Sequence, residues 1–183
     1  KGQMCIPDIV LLINGIPVSV IECKSPTVPT PIEKGILQLR RYQELDESFE
    51  GTGVPRLFET VQVVASICGT QAKYATVGTP PKFWGEWKKP WPVTLDDFRV
   101  ELGHLPSAQD VLIRGIFSPA NFMDLFRNFI VFEVEGGRSI KKLARYQQFI
   151  AVNKAVTRIR QNKDNPQDRG GVVWHTQGSG KSL

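Results

Sequence analysis

Asn14-Gly15 stands between two aliphatic runs, residues 9–13 and 16–21. Asn-Gly flanked by β-branched residues is the strongest short-range signal for a β-hairpin, because both residues tolerate the positive φ of a type I′ turn. The turn decides what the strand ends bring together. Asp8, after Pro7, opens the first strand, and Glu22-Cys23-Lys24 closes the second. Side chains alternate faces along a strand, so Glu22 and Lys24 share one face and Cys23 points to the other. Folding at Asn14-Gly15 returns Asp8 to the side of Glu22, which gives two carboxylates and an ammonium in one cluster. Two hard oxygen ligands suit Mg²⁺, which keeps waters for chemistry. A lysine beside them can position an attacking water or offset charge in a phosphoryl transition state. The competing reading is a solvated strand rim with one salt bridge.

Residues 32–46 are expected to form a helix, with Ile32, Ile36, Leu39 and Tyr42 on its apolar side. Pro31 suits the first turn, and Glu33 favours the N-terminus. Gln38 and Tyr42 are four apart and share a face. An amide and a phenol placed together can hold a scissile phosphate or a DNA strand. Alternatively, Tyr42 packs in the core and Gln38 is surface.

The centre of the chain is mixed. Residues 61–67 form a near-continuous apolar run and predict a buried central strand, with residues 72–77 as its neighbour. Trp84, Trp87 and Trp91 lie among prolines. Such aromatics can stack on bases, but packing of a linker onto a domain is the commoner role. Short helices are expected over 93–102, 107–117 and 121–128, with Thr94 and Ser107 as N-caps. Residues 130–134 and 139–140, around Gly136-Gly137, resemble a second hairpin. The longest helix is expected over 142–161, and residues 162–171 read as a polar linker.

After that linker, Val172-Val173-Trp174 predicts a short strand, and the run to Gly180-Lys181-Ser182 follows it. In a phosphate loop, Gly-rich backbone N–H groups cradle phosphate oxygens, Lys181 reaches the β- and γ-phosphates and Ser182 ligates Mg²⁺. His175 stands where the motif has its first glycine. A flexible Gly-Ser linker is the alternative.

Composition bounds the remaining possibilities. The chain has 183 residues, 41% of them hydrophobic, and a net charge of +5. That supports a packed core and suits a polyanionic partner without requiring one. Three cysteines, Cys5, Cys23 and Cys68, have no metal-site spacing and read as small core residues in a reducing, cytoplasmic setting. No apolar run reaches membrane-spanning length, which argues against a membrane partner.

Asp8, Glu22, Lys24 and Gln38-x-x-x-Tyr42 together resemble the PD-(D/E)xK nuclease core with its accessory Q-x-x-x-Y motif. With the 174–182 run, the combination resembles the restriction subunit, R, of type I restriction–modification enzymes, over the whole chain. The resemblance implies an α/β fold: a restriction-endonuclease-like mixed sheet flanked by helices, a mostly helical connector with a hairpin, then the first strand and P-loop of a RecA-like motor. The corresponding domains are 1–80, 81–161 and 162–183, with the nuclease core lacking its N-terminal part and the motor truncated. It implies Mg²⁺ on Asp8 and Glu22, with Lys24 catalytic beside them. Gln38 and Tyr42 would orient DNA. ATP would be held by Thr176, Gly178, Ser179, Gly180, Lys181, Ser182 and Gln148, the last contacting adenine if Gln147 does not. The implied partners are double-stranded DNA and the methyltransferase and specificity subunits, and the implied activity is ATP-dependent, sequence-nonspecific cleavage coupled to translocation. These 183 residues alone are not expected to translocate. The alternatives are a nuclease domain of a recombination or repair helicase–nuclease, and a non-catalytic DNA-docking module.

Overall fold

The computed structural model describes residues 4–174, which fall into two compact units divided between Leu143 and Ala144. The first unit is built on a four-stranded mixed sheet in the order β1 (Ile9–Ile13), β2 (Ile16–Cys23), β3 (Val63–Cys68), β4 (Gln71–Ala75). Asn14 (φ 50°) and Gly15 (φ 80°) both take the left-handed conformation that the expected turn needs. β1 and β2 pair antiparallel, with Ile9 opposite Ile21 and a bulge at Leu11/Leu12. β2 and β3 pair parallel, with Glu22 opposite Ser66, and β4 closes antiparallel on β3. Every residue of β3 is buried, as its near-continuous apolar sequence predicts for a central strand.

Parallel pairing of β2 and β3 requires a crossover, and α1 (Pro31–Tyr42) supplies it. Ile32, Ile36, Leu39 and Tyr42 pack with Val20, Val64, Phe58, Val61 and Trp84 in one core cluster. Gly35 lets the helix come this close, because a Cβ there would lie 2.1 Å from Ser66 Oγ and 3.6 Å from Lys24 Cγ. The buried Ser66 hydroxyl donates to Ile32 O at 3.0 Å. α1 ends at Tyr42, four residues before the expected end. Glu44 turns left-handed (φ 53°), and the Tyr42 carbonyl accepts from Val54 N–H at 2.8 Å. A tertiary hydrogen bond thus takes the carbonyl that a longer helix would have used.

The opposite sheet face is also covered. Ile21, Ala65, Ile67 and Tyr74 are buried there, and α3 (Ala108–Phe117) packs against β4. Trp87 meets the Tyr74 ring edge-on at 5.5 Å and donates its indole N–H to Lys89 O at 2.8 Å. Trp84 belongs to the core cluster on the α1 side. These two tryptophans are therefore packing residues.

Two N-caps lie where the sequence places them. Thr94 Oγ1 accepts from Asp97 N–H, which starts α2 (Leu95–Leu102). Ser107 and Asp110 form a reciprocal capping box at the start of α3. α4 begins at Pro119, two residues earlier than expected, and runs to Asn128. β5 (Ile130–Glu135) and β6 (Arg138–Leu143) form the second hairpin. Lys142 and Leu143 therefore belong to a strand, and the last helix begins later than the periodicity suggests. Pairing of Ile130 with Leu143, together with Thr76 Oγ1 donating to Lys141 O at 3.0 Å, fixes that segment as extended.

In the second unit, α5 spans Tyr146–Gln161, and a single 3₁₀ turn, Pro166–Arg169, follows it. Val172, Val173 and Trp174 are exposed and form no strand, contrary to the expectation. A strand's ladder bonds need a partner strand, and no described residue pairs with this segment. The expected ATP-binding residues Thr176, Gly178, Ser179, Gly180, Lys181 and Ser182 lie outside the described residues. The cysteine expectation also needs correction. Cys68 is buried, but Cys5 is half-buried and Cys23 is exposed, because Cys23 ends β2 on the face that Glu22 does not share. No described helix is long and apolar enough to cross a membrane.

Candidate functional site

The end of β2 and the middle of α1 bring four of the five expected nuclease residues into one hydrogen-bonded chain, with Asp8 beside it. Glu22 is fully buried, and its Oε1 accepts from Lys24 Nζ at 2.5 Å. Lys24 Nζ also donates to Gln38 Oε1 at 2.7 Å. Gln38 Nε2 donates to Tyr42 Oη at 2.6 Å, and the Tyr42 hydroxyl donates to Ile6 O at 3.0 Å. Asp8 Oδ2 accepts from the Cys23 backbone N–H at 2.7 Å, which holds its carboxylate at the open end of the hairpin.

This arrangement argues against a solvated rim, because Glu22 is a buried carboxylate. Burial raises its pKa above the ordinary value, the Lys24 hydrogen bond and charge oppose that rise, and the Asp8 charge adds to it. Its second oxygen, Oε2, is buried with no hydrogen-bond partner. A buried acceptor without a donor is costly and calls for an explanation such as an ion. The Asp8 carboxylate lies close enough for its charge to act on Glu22, so one cation could meet both groups. Among the described residues no cluster of three or more His, Cys, Asp or Glu could hold a metal. A cation here would have two carboxylates and would complete its shell with water, backbone or phosphate oxygens, as Mg²⁺ characteristically does. The donor set therefore fits Mg²⁺.

Tyr42 joins both roles the sequence left open. Its ring is 2% exposed and sits in the core cluster, and its hydroxyl ends the chain that starts at Glu22. It can reach a substrate only by acting through Gln38. Tyr42→Phe keeps the ring and removes the hydroxyl. We expect it to cost no more than about 1.5 kcal/mol of stability yet, if the centre is the nuclease that its motif resembles, to slow DNA cleavage by about tenfold. Tyr42→Ala should cost about 3–5 kcal/mol and lose activity through unfolding. Thermal melting beside a cleavage assay separates the two, and a Tyr42→Phe variant that cleaves at the wild-type rate refutes the hydroxyl's role.

In α5, Gln148 is engaged in capping, its Oε1 accepting from Arg145 N–H at 2.7 Å. Gln147 Oε1 is buried with no partner among the described residues. Sequence reasoning missed Gly35 and Ser66, which set the spacing between α1 and the sheet. A glycine inside a helical pattern was the available signal.

Comparison with known proteins decides the family. Residues 1–83 match the family model of the type I restriction enzyme R protein N terminus, and residues 147–183 match that of the SWI2/SNF2 ATPase. Residues 1–83 belong to the R-protein N-terminal family. The whole chain is similar to curated endonuclease subunits. It is 30% identical to the type I restriction enzyme HindI endonuclease subunit of Haemophilus influenzae, over 100% of this chain and 16% of that protein. It is 28% identical to the provisionally named MjaIXP endonuclease subunit of Methanocaldococcus jannaschii, over 100% of this chain and 18% of that protein. A second M. jannaschii subunit, provisionally named MjaVIIIP, is 32% identical over 97% of this chain. The chain thus spans about a sixth of the length of the R-family relatives it matches.

Proposed function

We propose that this chain carries the nuclease core of a type I restriction R subunit and leads into its ATP-driven motor. The observation that carries the reading is the buried, half-unpaired Glu22 carboxylate beside Asp8 and Lys24 in a family of restriction R proteins. The sheet and α1 make the restriction-endonuclease-like core, and α3, from the connector that follows, covers the other sheet face. Residues 1–80 form the nuclease, 81–161 a connector, and 162–183 the linker and start of a RecA-like motor. The reaction is hydrolysis of a phosphodiester in double-stranded DNA. The oxygen of a water bonds phosphorus as the bridging P–O bond breaks.

Asp8 and Glu22 hold Mg²⁺ when it is bound, and that ion would polarise the phosphate and lower the pKa of a bound water. Lys24, held by Glu22 Oε1 and Gln38 Oε1, has one N–H left to point at the phosphate or the water. Gln38 fixes where that ammonium sits, and Tyr42 fixes Gln38. Choice of DNA site would lie with the specificity and methyltransferase subunits of the complex, as the family resemblance implies. Thr176, Gly178, Ser179, Gly180, Lys181 and Ser182 bind the phosphates and Mg²⁺ of ATP. Gln148 is the family-based choice for adenine. The orphaned Oε1 of Gln147 makes Gln147 the alternative, because Gln148 already caps α5.

Calorimetric titration of the full-length protein with Mg²⁺, without ATP, tests the metal assignment. Glu22→Gln should weaken binding by at least about tenfold, the loss that even indirect partners of metal ligands reach. Unchanged Mg²⁺ affinity in this variant would remove the metal from the carboxylate pair and favour a DNA-docking module.

A further inference from the structure

The flank of α1 turned away from the sheet carries its own set of side chains. Lys34, Leu37, Gln38 and Arg41 follow at i, i+3, i+4 and i+7 and so share a face. With Lys24 and Phe49 they wall a shallow cleft of about 450 Å³. Gln38 and Lys24 line this cleft and also bond to each other, so it opens directly onto the carboxylate–lysine centre. Three cations wall it, Lys24, Lys34 and Arg41, and no carboxylate does. Arg41 is partly committed, since its guanidinium donates to Thr52 O at 3.0 Å and lies 4.9 Å over the Tyr42 ring. Lys34 is exposed and makes no ion pair with a described residue. Leu37, one turn on, is 55% exposed.

Unspent positive charge next to an exposed aliphatic side chain matches the alternation along a nucleic-acid strand, where each phosphate is followed by an apolar sugar face. A strand whose scissile phosphate sits at Lys24 must continue past the centre, and this cleft is a continuous way out of it. We propose that the cleft holds the cleaved DNA strand beside the scissile phosphate, with Lys34 paired to a neighbouring phosphate and Leu37 against the intervening deoxyribose. The inference rests on the nuclease reading and adds to it a backbone-binding subsite.

The test uses the full-length protein assembled for cleavage, with plasmid DNA as substrate. Lys34→Glu should slow cleavage about tenfold or more, while Lys34→Arg stays within about twofold of wild type. Lys34→Ala should reduce the log–log salt dependence of DNA engagement by about one unit, the signature of one lost phosphate contact. ATP hydrolysis and melting temperature should not move, and Lys88→Glu, an equal charge change elsewhere, should cleave normally. Wild-type cleavage by Lys34→Glu overturns the subsite. So does a loss of cleavage matched by a fall in melting temperature, or an unchanged salt slope. Glu22→Gln in the same assay keeps the two ideas apart. If it still cleaves, the nuclease reading fails; if it does not and Lys34→Glu does, only the subsite fails.

Discussion

Asp8→Asn or Glu22→Gln in the full-length protein should abolish DNA cleavage and leave ATP hydrolysis near the wild-type rate. Each substitution replaces a charged oxygen ligand with a neutral amide of the same shape, so the fold is kept and the cation loses its charge partner. The buried Glu22 has no slack for this change, because Oε1 is committed to Lys24 and only Oε2 is free for a metal. An amide there would also present an N–H₂ group to Lys24 or to the ion. ATP hydrolysis should be spared, because the residues proposed to bind ATP belong to the stretch that matches the SWI2/SNF2 ATPase model, outside the unit that holds Asp8 and Glu22.

The pH behaviour follows from the raised pKa of Glu22. A carboxyl whose folded-state pKa exceeds its unfolded value favours the folded state while protonated. Its contribution is full below the unfolded pKa and is lost as pH rises through the raised folded pKa. Without metal, Glu22→Gln should therefore melt higher than wild type at neutral pH, with the difference shrinking as the medium is acidified. Paired cleavage, ATPase and melting measurements decide the matter. Loss of both activities with the fold intact would contradict the separation of the two centres.

Lys181→Ala should abolish ATP hydrolysis and, with it, the cleavage proposed to depend on translocation. An alanine cannot offset the charge that builds on the transferring phosphoryl group, and no backbone N–H substitutes for a mobile ammonium at the β- and γ-phosphates. The prediction rests on Gly180-Lys181-Ser182 and on the SWI2/SNF2 ATPase match over residues 147–183. Metal binding at Asp8 and Glu22 should be unchanged in this variant, which distinguishes a motor defect from a general one. Normal ATPase in Lys181→Ala would mean that the loop with His175 in the first glycine position binds no phosphate.

The sequence by itself determined the hairpin and the meeting of Asp8, Glu22 and Lys24. These are local matters: Asn14-Gly15 allows only a tight turn, and strand alternation then assigns each side chain its face. It also determined the buried central strand, the apolar face of α1 and two of the helix caps, since each depends on neighbours a few residues away. Where elements stop was settled by long-range contacts. α1 ends where Val54 takes the Tyr42 carbonyl, and residues 142–143 are strand because they pair with 130–131, just after Lys141, whose carbonyl is tied to Thr76. The tertiary structure alone decided that Glu22 is buried with one oxygen unpartnered, and that Tyr42 serves core and centre at once. Both depend on how closely α1 approaches β3. Gly35 and Ser66 set that distance from 31 residues apart, a contact no local pattern encodes.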